Sequence, residues 1–558
     1  MTDEVQENNL SHINEMRLQS EALQKIAAHY AQPENESRLK RLQSIIIKAS
    51  TISAIVIGGV LGGGEALIYL WEQQNIRTMA DDYASVGKEI YYRENNGEVA
   101  LTFIDKAINL QPKNSEYRYD KAYIEGMAVV RTLLNLDRDY TAKELNQTHN
   151  ALAKAILLER QAPEKPDSHI LRGQIYSALR DYKRAKEAIQ KALVLDPKNS
   201  FALVRMAVVD YNSKRIEAAR SNLNSAIDAN PNFKWAYLWH GIISSDNGKI
   251  VEARKWFNKA LKVDPRFGLA FYNRGWSYLK SGDRDYVQAE KNFRSALRYN
   301  PDYKEAWYGL GFVYGSQNRY EIALQYLNRA VGIDNQFLTG WKWRGIINDE
   351  LGRYKEALKD FSKAIALHPA NADLYVRRAR VSIKSKSFQT ALKDLFRAMK
   401  INPKNSRIQY YTGNVYAALE QNNEAIESYG KAIKLKSNYS EAFAARAEVF
   451  EKQGNATRAR SDLDTAVVSA KYRRERFYFK RAEFNERHGE NNTAVVDYKD
   501  ARKINPRFAK AWLGEARVLN KLGHGELAYK SVVEYVKLRP TDMVGTTLRN
   551  QLKNKKLK

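Results

Sequence analysis

Residues 341–369 read WKWRGIINDELGRYKEALKDFSKAIALHP and end on a proline that recurs along the chain. The recurring register passes through Pro197, Pro231, Pro265, Pro301, Asn335, Pro369, Pro403, Ser437, Lys471, Pro506 and Pro540. The spacings are 34, 34, 36, 34, 34, 34, 34, 34, 35 and 34 residues. Such a period predicts one small repeated unit, in which the stacking of neighbours, not one globular core, buries the apolar surface.

Small residues stand at two fixed places before each proline, which we number position 32 of its unit. Position 8 is glycine or alanine: Gly173, Ala207, Gly241, Gly275, Gly311, Gly345, Ala379, Gly413, Ala447, Ala482 and Ala516. Position 20 is alanine: Ala185, Ala219, Ala253, Ala289, Ala323, Ala357, Ala391, Ala425, Ala459, Ala494 and Ala528. Small side chains let two helices cross closely, and we expect bulky residues at positions 4, 7, 11 and 24 to fill the remaining space. The proline then ends the second helix, because it has no amide hydrogen to donate.

This arrangement resembles the tetratricopeptide repeat (TPR), a helix-turn-helix of about 34 residues. The match covers eleven units in residues 166–540, and a basic C-terminal tail follows in residues 541–558. Residues 72–165 are similar to two atypical units, the second with about 14 inserted residues. The resemblance implies an all-α fold, a right-handed superhelical solenoid whose concave groove binds a protein partner.

Residues 45–71, IIIKASTISAIVIGGVLGGGEALIYLW, predict a single transmembrane helix, since they are apolar over enough length to cross a hydrocarbon core of about 30 Å. Residues 1–44 are polar and contain an amphipathic stretch at residues 11–30, suited to a partner, to the membrane surface or to a solvated helix. Bases precede the span and acids follow it, which predicts a bacterial inner-membrane protein with a cytoplasmic N-terminus and periplasmic repeats. The alternative is an array in the cytosol.

The predicted span contains two features that bear on its role. Gly58 with Gly62, and Gly59 with Gly63, form small-xxx-small pairs that favour helix association in the membrane. Glu65 is a carboxylate within the apolar run, where charge is costly. It either has a function or reaches the interface.

Composition limits the chemistry that we expect. The formal net charge of +27 favours anionic partners, whether nucleic acid, acidic protein, glycan or lipid surface. The chain has no cysteine, which excludes disulfides and thiolate sites. Its eight histidines are scattered without metal-ligand spacing, and there is no phosphate loop, nucleophile elbow or dinucleotide fingerprint. We therefore expect no enzyme activity, no metal and no cofactor.

Positions 2, 5 and 9 of each first helix form a stripe beside the buried face, and in the TPR family this side lines the groove. Large apolar residues occupy the stripe over four successive units: Phe201, Val204, Val208, Trp235, Leu238, Ile242, Leu269, Tyr272, Trp276, Tyr308 and Phe312. An exposed surface rarely carries so many, so we predict a partner-binding groove. The alternative is packing within the array, against the insertion near residues 123–150.

Farther along the chain, the same stripe is mostly basic. Its basic residues, which we call the basic stripe, are Lys342, Arg380, Arg407 and Arg517. They suit an acidic peptide or an anionic polymer, although solvation alone also explains them. Some TPR relatives hold a C-terminal carboxylate with a lysine and asparagines. Asn414 fits that pattern, but Tyr410 stands where the lysine would be, so this mode is disfavoured.

Three functions remain open from the sequence. The leading hypothesis is a membrane-anchored scaffold that holds a protein partner in an envelope assembly or transport complex. The second is a basic solenoid that binds nucleic acid or glycan. The third is a regulatory subunit of a membrane enzyme, acting through Glu65 and the glycine face. Repeat arrays serve many pathways, so the fold alone does not choose among them.

Overall fold

The computed structural model describes residues 65–94, 97–134, 142–280, 282 and 284–556. The described residues form 27 α-helices and no strand, so the predicted all-α solenoid is confirmed. The chain divides into two compact units, residues 1–309 and 310–558. Within each unit, a helix packs chiefly against the helices before and after it in the chain, as expected for stacked repeats.

The helices of the first unit are α1 (Glu65–Glu94), α2 (Gly97–Leu110), α3 (Ser115–Leu134), α4 (Ala142–Gln161), α5 (Pro166–Ala178), α6 (Tyr182–Leu195), α7 (Ser200–Asn212), α8 (Ile216–Ala229), α9 (Lys234–Asp246), α10 (Ile250–Val263), α11 (Gly268–Lys280) and α12 (Tyr286–Tyr299). Helix α13 (Lys304–Ser316) contains the boundary between the units. Helices α3 and α4 are 20 residues each, against 13 and 14 in the next pair, so the extra residues of the atypical unit lengthen its helices.

The helices of the second unit are α14 (Tyr320–Ile333), α15 (Leu338–Glu350), α16 (Tyr354–Leu367), α17 (Ala372–Lys384), α18 (Phe388–Ile401), α19 (Ser406–Ala418), α20 (Asn422–Leu435), α21 (Ser440–Lys452), α22 (Ala456–Ser469), α23 (Arg474–Arg487), α24 (Asn491–Ile504), α25 (Ala509–Lys521), α26 (Gly525–Leu538) and α27 (Met543–Lys556). The basic tail thus forms a helix, and its Leu552 is buried against Val532 and Leu519. Helix α27 covers the last repeat as a terminal cap does.

Turn chemistry sets the two boundaries inside each repeat. The residue at position 15, between the helices, has a positive φ in ten repeats. It is glycine in five of them, because glycine adopts this left-handed conformation without steric cost. The residue before the proline register leaves the helix: Asp196 has φ −139° and ψ 89°. Its carboxylate accepts a hydrogen bond from the backbone amide of Lys198 at 3.2 Å. The side-chain oxygens of Asp264, Asp334 and Asn505 likewise accept from the backbone amide two residues later.

The close crossing of the two helices is as predicted. Ala357 at position 20 is fully buried, as are the other alanines of this position. At position 8, a Cβ added to Gly241 would overlap the ring of Phe257 at position 24, and Gly413 lies against Tyr429 in the same way. Aromatic residues at position 4 form hydrogen bonds to the turn before their helix. The Trp341 indole, for example, donates to the Asn335 carbonyl oxygen at 2.9 Å.

Position 7 differs from the prediction, because six repeats have an arginine there, not a bulky apolar residue, and in five of them the arginine lies over an aromatic ring. These are Arg274, Arg344, Arg378, Arg446 and Arg481. The guanidinium lies over the aromatic ring at position 4, as Arg344 does over Trp341 at 4.4 Å. A flat cation can fill the site of a large apolar side chain when its charge has a partner.

The predicted membrane segment is largely outside the described residues. Gly58, Gly59, Gly62 and Gly63 precede them, as do residues 1–44 with their amphipathic stretch, and Glu65 is the first residue of α1. Among the helices that the structure describes, none is both long enough and apolar enough to cross a membrane.

Candidate partner-binding surface

The predicted groove residues of the first unit divide into two sets. Val204 and Leu238 are each 1% exposed, so a partner cannot reach them in this structure. Val204 packs in a core with Ile243 of the following first helix, and Leu238 packs with Phe257. Both therefore belong to the packing within the array, which was the alternative interpretation of this stripe.

The five aromatic residues of the stripe that lie in the first unit keep part of their surface, and we call them the aromatic surface. They are Phe201, Trp235, Tyr272, Trp276 and Tyr308, carried by α7, α9, α11 and α13. Trp235 meets Phe267 edge to face, with ring centroids 5.0 Å apart. Several partly exposed aromatic rings close together offer apolar area, and the tryptophan and tyrosine side chains add polar N–H and O–H groups. Such a surface suits contact with a protein segment.

The densest part of the aromatic surface is the contact between α11 and α13. The Trp276 ring lies 5.6 Å from Tyr308 and 5.6 Å from Phe293, and Tyr272 lies 5.1 Å from Tyr303. Burial raises the pKa of the Tyr272 and Tyr308 phenols, so both stay neutral at physiological pH. Phe312 belongs to the second unit, where its ring meets Trp343 at 5.0 Å.

The basic stripe is largely neutralised by carboxylates. Arg380 and Lys384 both donate to the buried Asp349, at 2.6 and 2.7 Å. Arg407 pairs with Asp373 at 3.3 Å. Lys342 is partly buried on α15. Arginines with such partners have little free charge for a ligand.

The last member of the basic stripe shows the same arrangement. Arg517 and Lys521 both donate to Glu486 of the preceding repeat, at 2.6 and 2.9 Å. Burial disfavours the ionised form of Glu486, but the hydrogen bonds from Arg517 and Lys521 outweigh it and lower the pKa to about 2. Arg380 and Arg517 thus both stand at position 9 of their repeats. Each bonds to the carboxylate at position 12 of the preceding repeat, Asp349 or Glu486.

A second ionic arrangement, which the sequence analysis missed, joins positions 7 and 23, and we call it the clip. Arg378 donates to both oxygens of Asp394, at 2.9 and 2.7 Å, and also to Ser362 of the preceding repeat at 2.8 Å. The clip recurs in four repeats, as Arg344 with Asp360, Arg378 with Asp394, Arg446 with Asp462 and Arg481 with Asp497. The signal in the sequence is an arginine and an aspartate sixteen residues apart.

In one repeat of the first unit the clip is replaced by two rings. His240 at position 7 stacks on Trp256 at position 23, with centroids 4.3 Å apart and an angle of 13°. His240 is 3% exposed, and neither ring nitrogen has a hydrogen-bond partner among the described residues. Burial, together with the nearby positive charge of Arg220, lowers the pKa of His240 to about 4. The ring is therefore neutral near pH 7.

Comparison with known families decides what these repeats are. A TPR repeat model matches residues 413–454, and tetratricopeptide repeat models match residues 166–199, 272–336 and 350–412. The chain belongs to the TPR superfamily. The matched segments contain three of the five residues of the aromatic surface and both partners of one clip, Arg378 with Asp394. No curated protein matches the chain.

Several solved structures resemble the chain. A TPR protein from Parabacteroides merdae is 18% identical with a TM-score of 0.40, over 45% of this chain and 98% of its own. YrrB, a TPR protein with an unusual peptide-binding site, is 25% identical with a TM-score of 0.28, over 33% of this chain and 95% of its own. The APC/C hetero-tetramer Cut9–Hcn1 is 15% identical with a TM-score of 0.40, over 94% and 97%.

The TPR fold is typical of protein-interaction scaffolds rather than of enzymes. Within the described ranges, no group of three or more histidine, aspartate or glutamate side chains is placed to hold a metal ion. The buried carboxylates are engaged in ion pairs: in the clips, in the pairs of the basic stripe, or, for Asp210 and Glu515, with Arg215 and Arg502.

Proposed function

We propose that this TPR protein is a membrane-anchored scaffold that binds a protein partner through the aromatic surface of its first unit. The observation that carries the proposal is the partly exposed cluster of Tyr272, Trp276 and Tyr308. Such rings become fully desolvated when a partner covers them, which is the usual character of interface hot spots. The partner belongs to an envelope assembly or a transport complex.

The membrane part of the proposal rests on the sequence of residues 45–71. The flanking charges support an inner-membrane anchor with a cytoplasmic N-terminus and periplasmic repeats. Protease added to intact spheroplasts tests this directly, with a cytoplasmic protein as the control. Digestion of the repeats is the expected result, whereas repeats that stay protected would place the array in the cytosol.

The partner-binding part is tested by crosslinking from the native membrane, followed by mass spectrometry. Trp276→Ala should reduce the yield of the crosslinked partner at least about tenfold, since an aromatic hot spot contributes about 2 kcal/mol or more. The matched control is Val251→Ser, which removes a 69% exposed apolar side chain from α10. Equal yields for the wild type and the Trp276 variant would contradict the proposed surface.

The net charge of +27 supports binding of an anionic polymer as a second candidate. Its weakness is that Arg380, Arg407 and Arg517 already bond to carboxylates. The two candidates differ in their response to salt. Polymer binding should weaken steeply between about 50 and 200 mM salt, while an apolar contact should change little.

A further inference from the structure

Arg205 on α7 is a cation in the first unit that has no carboxylate partner among the described residues. Its guanidinium lies over the Phe201 ring, 4.6 Å from the centroid. Its Nε is buried without a hydrogen-bond partner. Burial lowers the pKa of Arg205, and the Tyr91 and Tyr123 phenols are the groups that act against this shift. An arginine in this state retains its charge but has lost much of its hydration.

A matched arginine in the second unit shows what the usual arrangement is. Arg377 stands at position 6 of its repeat, as Arg205 does, and bonds to Asp373 at position 2 with a distance of 2.6 Å. In the repeat of Arg205, position 2 is Phe201 instead of an aspartate. Arg172, one repeat earlier, is paired with Glu159. Arg205 therefore differs from equivalent and neighbouring arginines in the lack of an internal anion.

An unpaired, partly buried guanidinium is costly, and a bound carboxylate would remove the cost by two charge-assisted hydrogen bonds. Phe201 belongs to the aromatic surface, so the charge lies directly beside apolar area. Phe201 also packs against the buried cluster that contains Tyr91 and Tyr123, whose rings are 6.1 Å apart. The surroundings of the guanidinium are thus aromatic on more than one side, which strengthens an ionic contact by excluding water.

We propose that Arg205 is the charged anchor of the aromatic surface, and that it binds an aspartate or glutamate side chain of the partner segment. Apolar side chains of the same segment contact Phe201 and Trp235. The inference rests on the proposed function, and it adds the charge that the partner must carry. An acidic side chain is favoured over a chain terminus, because a terminus brings further main-chain polar groups that these aromatic surroundings would leave unpaired.

The test uses the full-length chain in detergent and a display library of random 16-residue peptides. Selected peptides are synthesised in three forms: unchanged, with each acid replaced by its amide, and with an amidated C-terminus. Fluorescence anisotropy then measures their affinity for the wild type, Arg205→Gln and Arg377→Gln. The Arg377 variant is the control, because it removes the same residue from the same repeat position.

We expect selected peptides to carry an acid next to apolar residues. Replacing that acid, or Arg205, should weaken binding about tenfold or more, and the two changes together should cost little more than either alone. Arg377→Gln and C-terminal amidation should leave the affinity unchanged. Equal affinity for the wild type and Arg205→Gln overturns the inference, and dependence on the free C-terminus overturns the side-chain assignment.

The same peptides separate this inference from the proposed function. If Trp276→Ala abolishes binding and Arg205→Gln does not, the aromatic surface stands and the charged anchor is wrong. If neither change affects binding, or if the library yields no ligand, the surface itself is contradicted. Arg205→Gln removes an unpaired charge, so its thermal unfolding temperature should equal or exceed that of the wild type.

Discussion

The two compact units carry different side chains at the same repeat positions. In the first unit, positions 2, 5 and 9 present rings, such as Trp235 and Trp276, that keep part of their surface. In the second unit, the same positions present arginines, such as Arg380 and Arg517, that bond to carboxylates of the preceding repeat. The arginines of the second unit are thus paired within the array, while the rings of the first unit keep apolar area that a partner can cover.

The inner positions differ in a parallel way. Four repeats of the second unit hold positions 7 and 23 together by an arginine and an aspartate, as in Arg344 with Asp360. One repeat of the first unit uses the stacked rings of His240 and Trp256 instead. The arginines at these positions of the second unit therefore hold its repeats together, because their charges are paired with aspartates of the chain itself. Four predictions test this difference.

The largest effect is expected from removal of the aspartate of a clip. Asp360 is 1% exposed and accepts hydrogen bonds from Arg344 and Asn348. Asp360→Ala leaves a partly buried guanidinium without its anion, which should lower the free energy of unfolding by about 3–5 kcal/mol. Urea denaturation followed by circular dichroism measures the change, and hydrogen exchange of α15 and α16 shows whether the loss is local.

The control for this prediction replaces both partners. A chain with Arg344→Leu and Asp360→Leu has no unpaired charge, so it should lie within about 1 kcal/mol of the wild type. If the single and double variants were equally unstable, lost packing rather than the charge would explain the clip. If Asp360→Ala were as stable as the wild type, the clip would not hold the second unit together.

The clip also shows what could be predicted from the sequence. The period and the small residues at positions 8 and 20 predicted the fold, because a close helix crossing leaves room only for such side chains. Position 7 was mistaken for an apolar site, since an arginine whose charge is paired fills the same space. Burial of Val204 and Leu238 depends on the neighbouring first helix, and the missing partner of Arg205 depends on distances, so neither follows from the pattern.

The second effect is a difference in acid sensitivity between the units. The pKa of His240 is about 4 in the folded chain and about 6.5 in an unfolded one. The folded state binds fewer protons, so the free energy of unfolding of the first unit should fall between about pH 6.5 and pH 4, by up to about 3 kcal/mol. Thermal unfolding against pH measures this, and His240→Phe should remove the dependence while it preserves the stacking.

The counterpart in the second unit is Glu486, whose pKa is about 2. Its contribution is complete above the unfolded value of about 4.3 and is lost as the pH falls through about 2. The second unit should therefore keep its protection against hydrogen exchange at pH 5, where the first unit has begun to lose stability. Simultaneous loss in both units at pH 5 would show that His240 does not set the difference.

A smaller effect is expected from the helix crossing within each unit. Gly241→Ala places a methyl group in the ring of Phe257, which is 1% exposed and cannot move aside, so it should cost about 1–3 kcal/mol. Gly332 lies exposed in α14 with no atom near an added Cβ. Gly332→Ala should stabilise the chain by about 0.5 kcal/mol, because alanine favours the helix. The urea midpoint should therefore decrease for Gly241→Ala and increase for Gly332→Ala relative to the wild type. Equal destabilisation by the two changes would contradict the crossing geometry.

The smallest effect is expected at Arg407, which is 45% exposed and 3.3 Å from Asp373. Arg407→Gln should cost less than about 1 kcal/mol, since the pair is exposed and Asp373 keeps its bond to Arg377 at 2.6 Å. Heparin serves as a probe of anionic-polymer binding, with the eluting salt concentration as the readout. Because the basic stripe is paired internally, the variant should elute close to the wild type. A marked decrease in eluting salt would mean that Arg407 leaves Asp373 for the polymer, and that the second unit, like the first, presents a surface for binding.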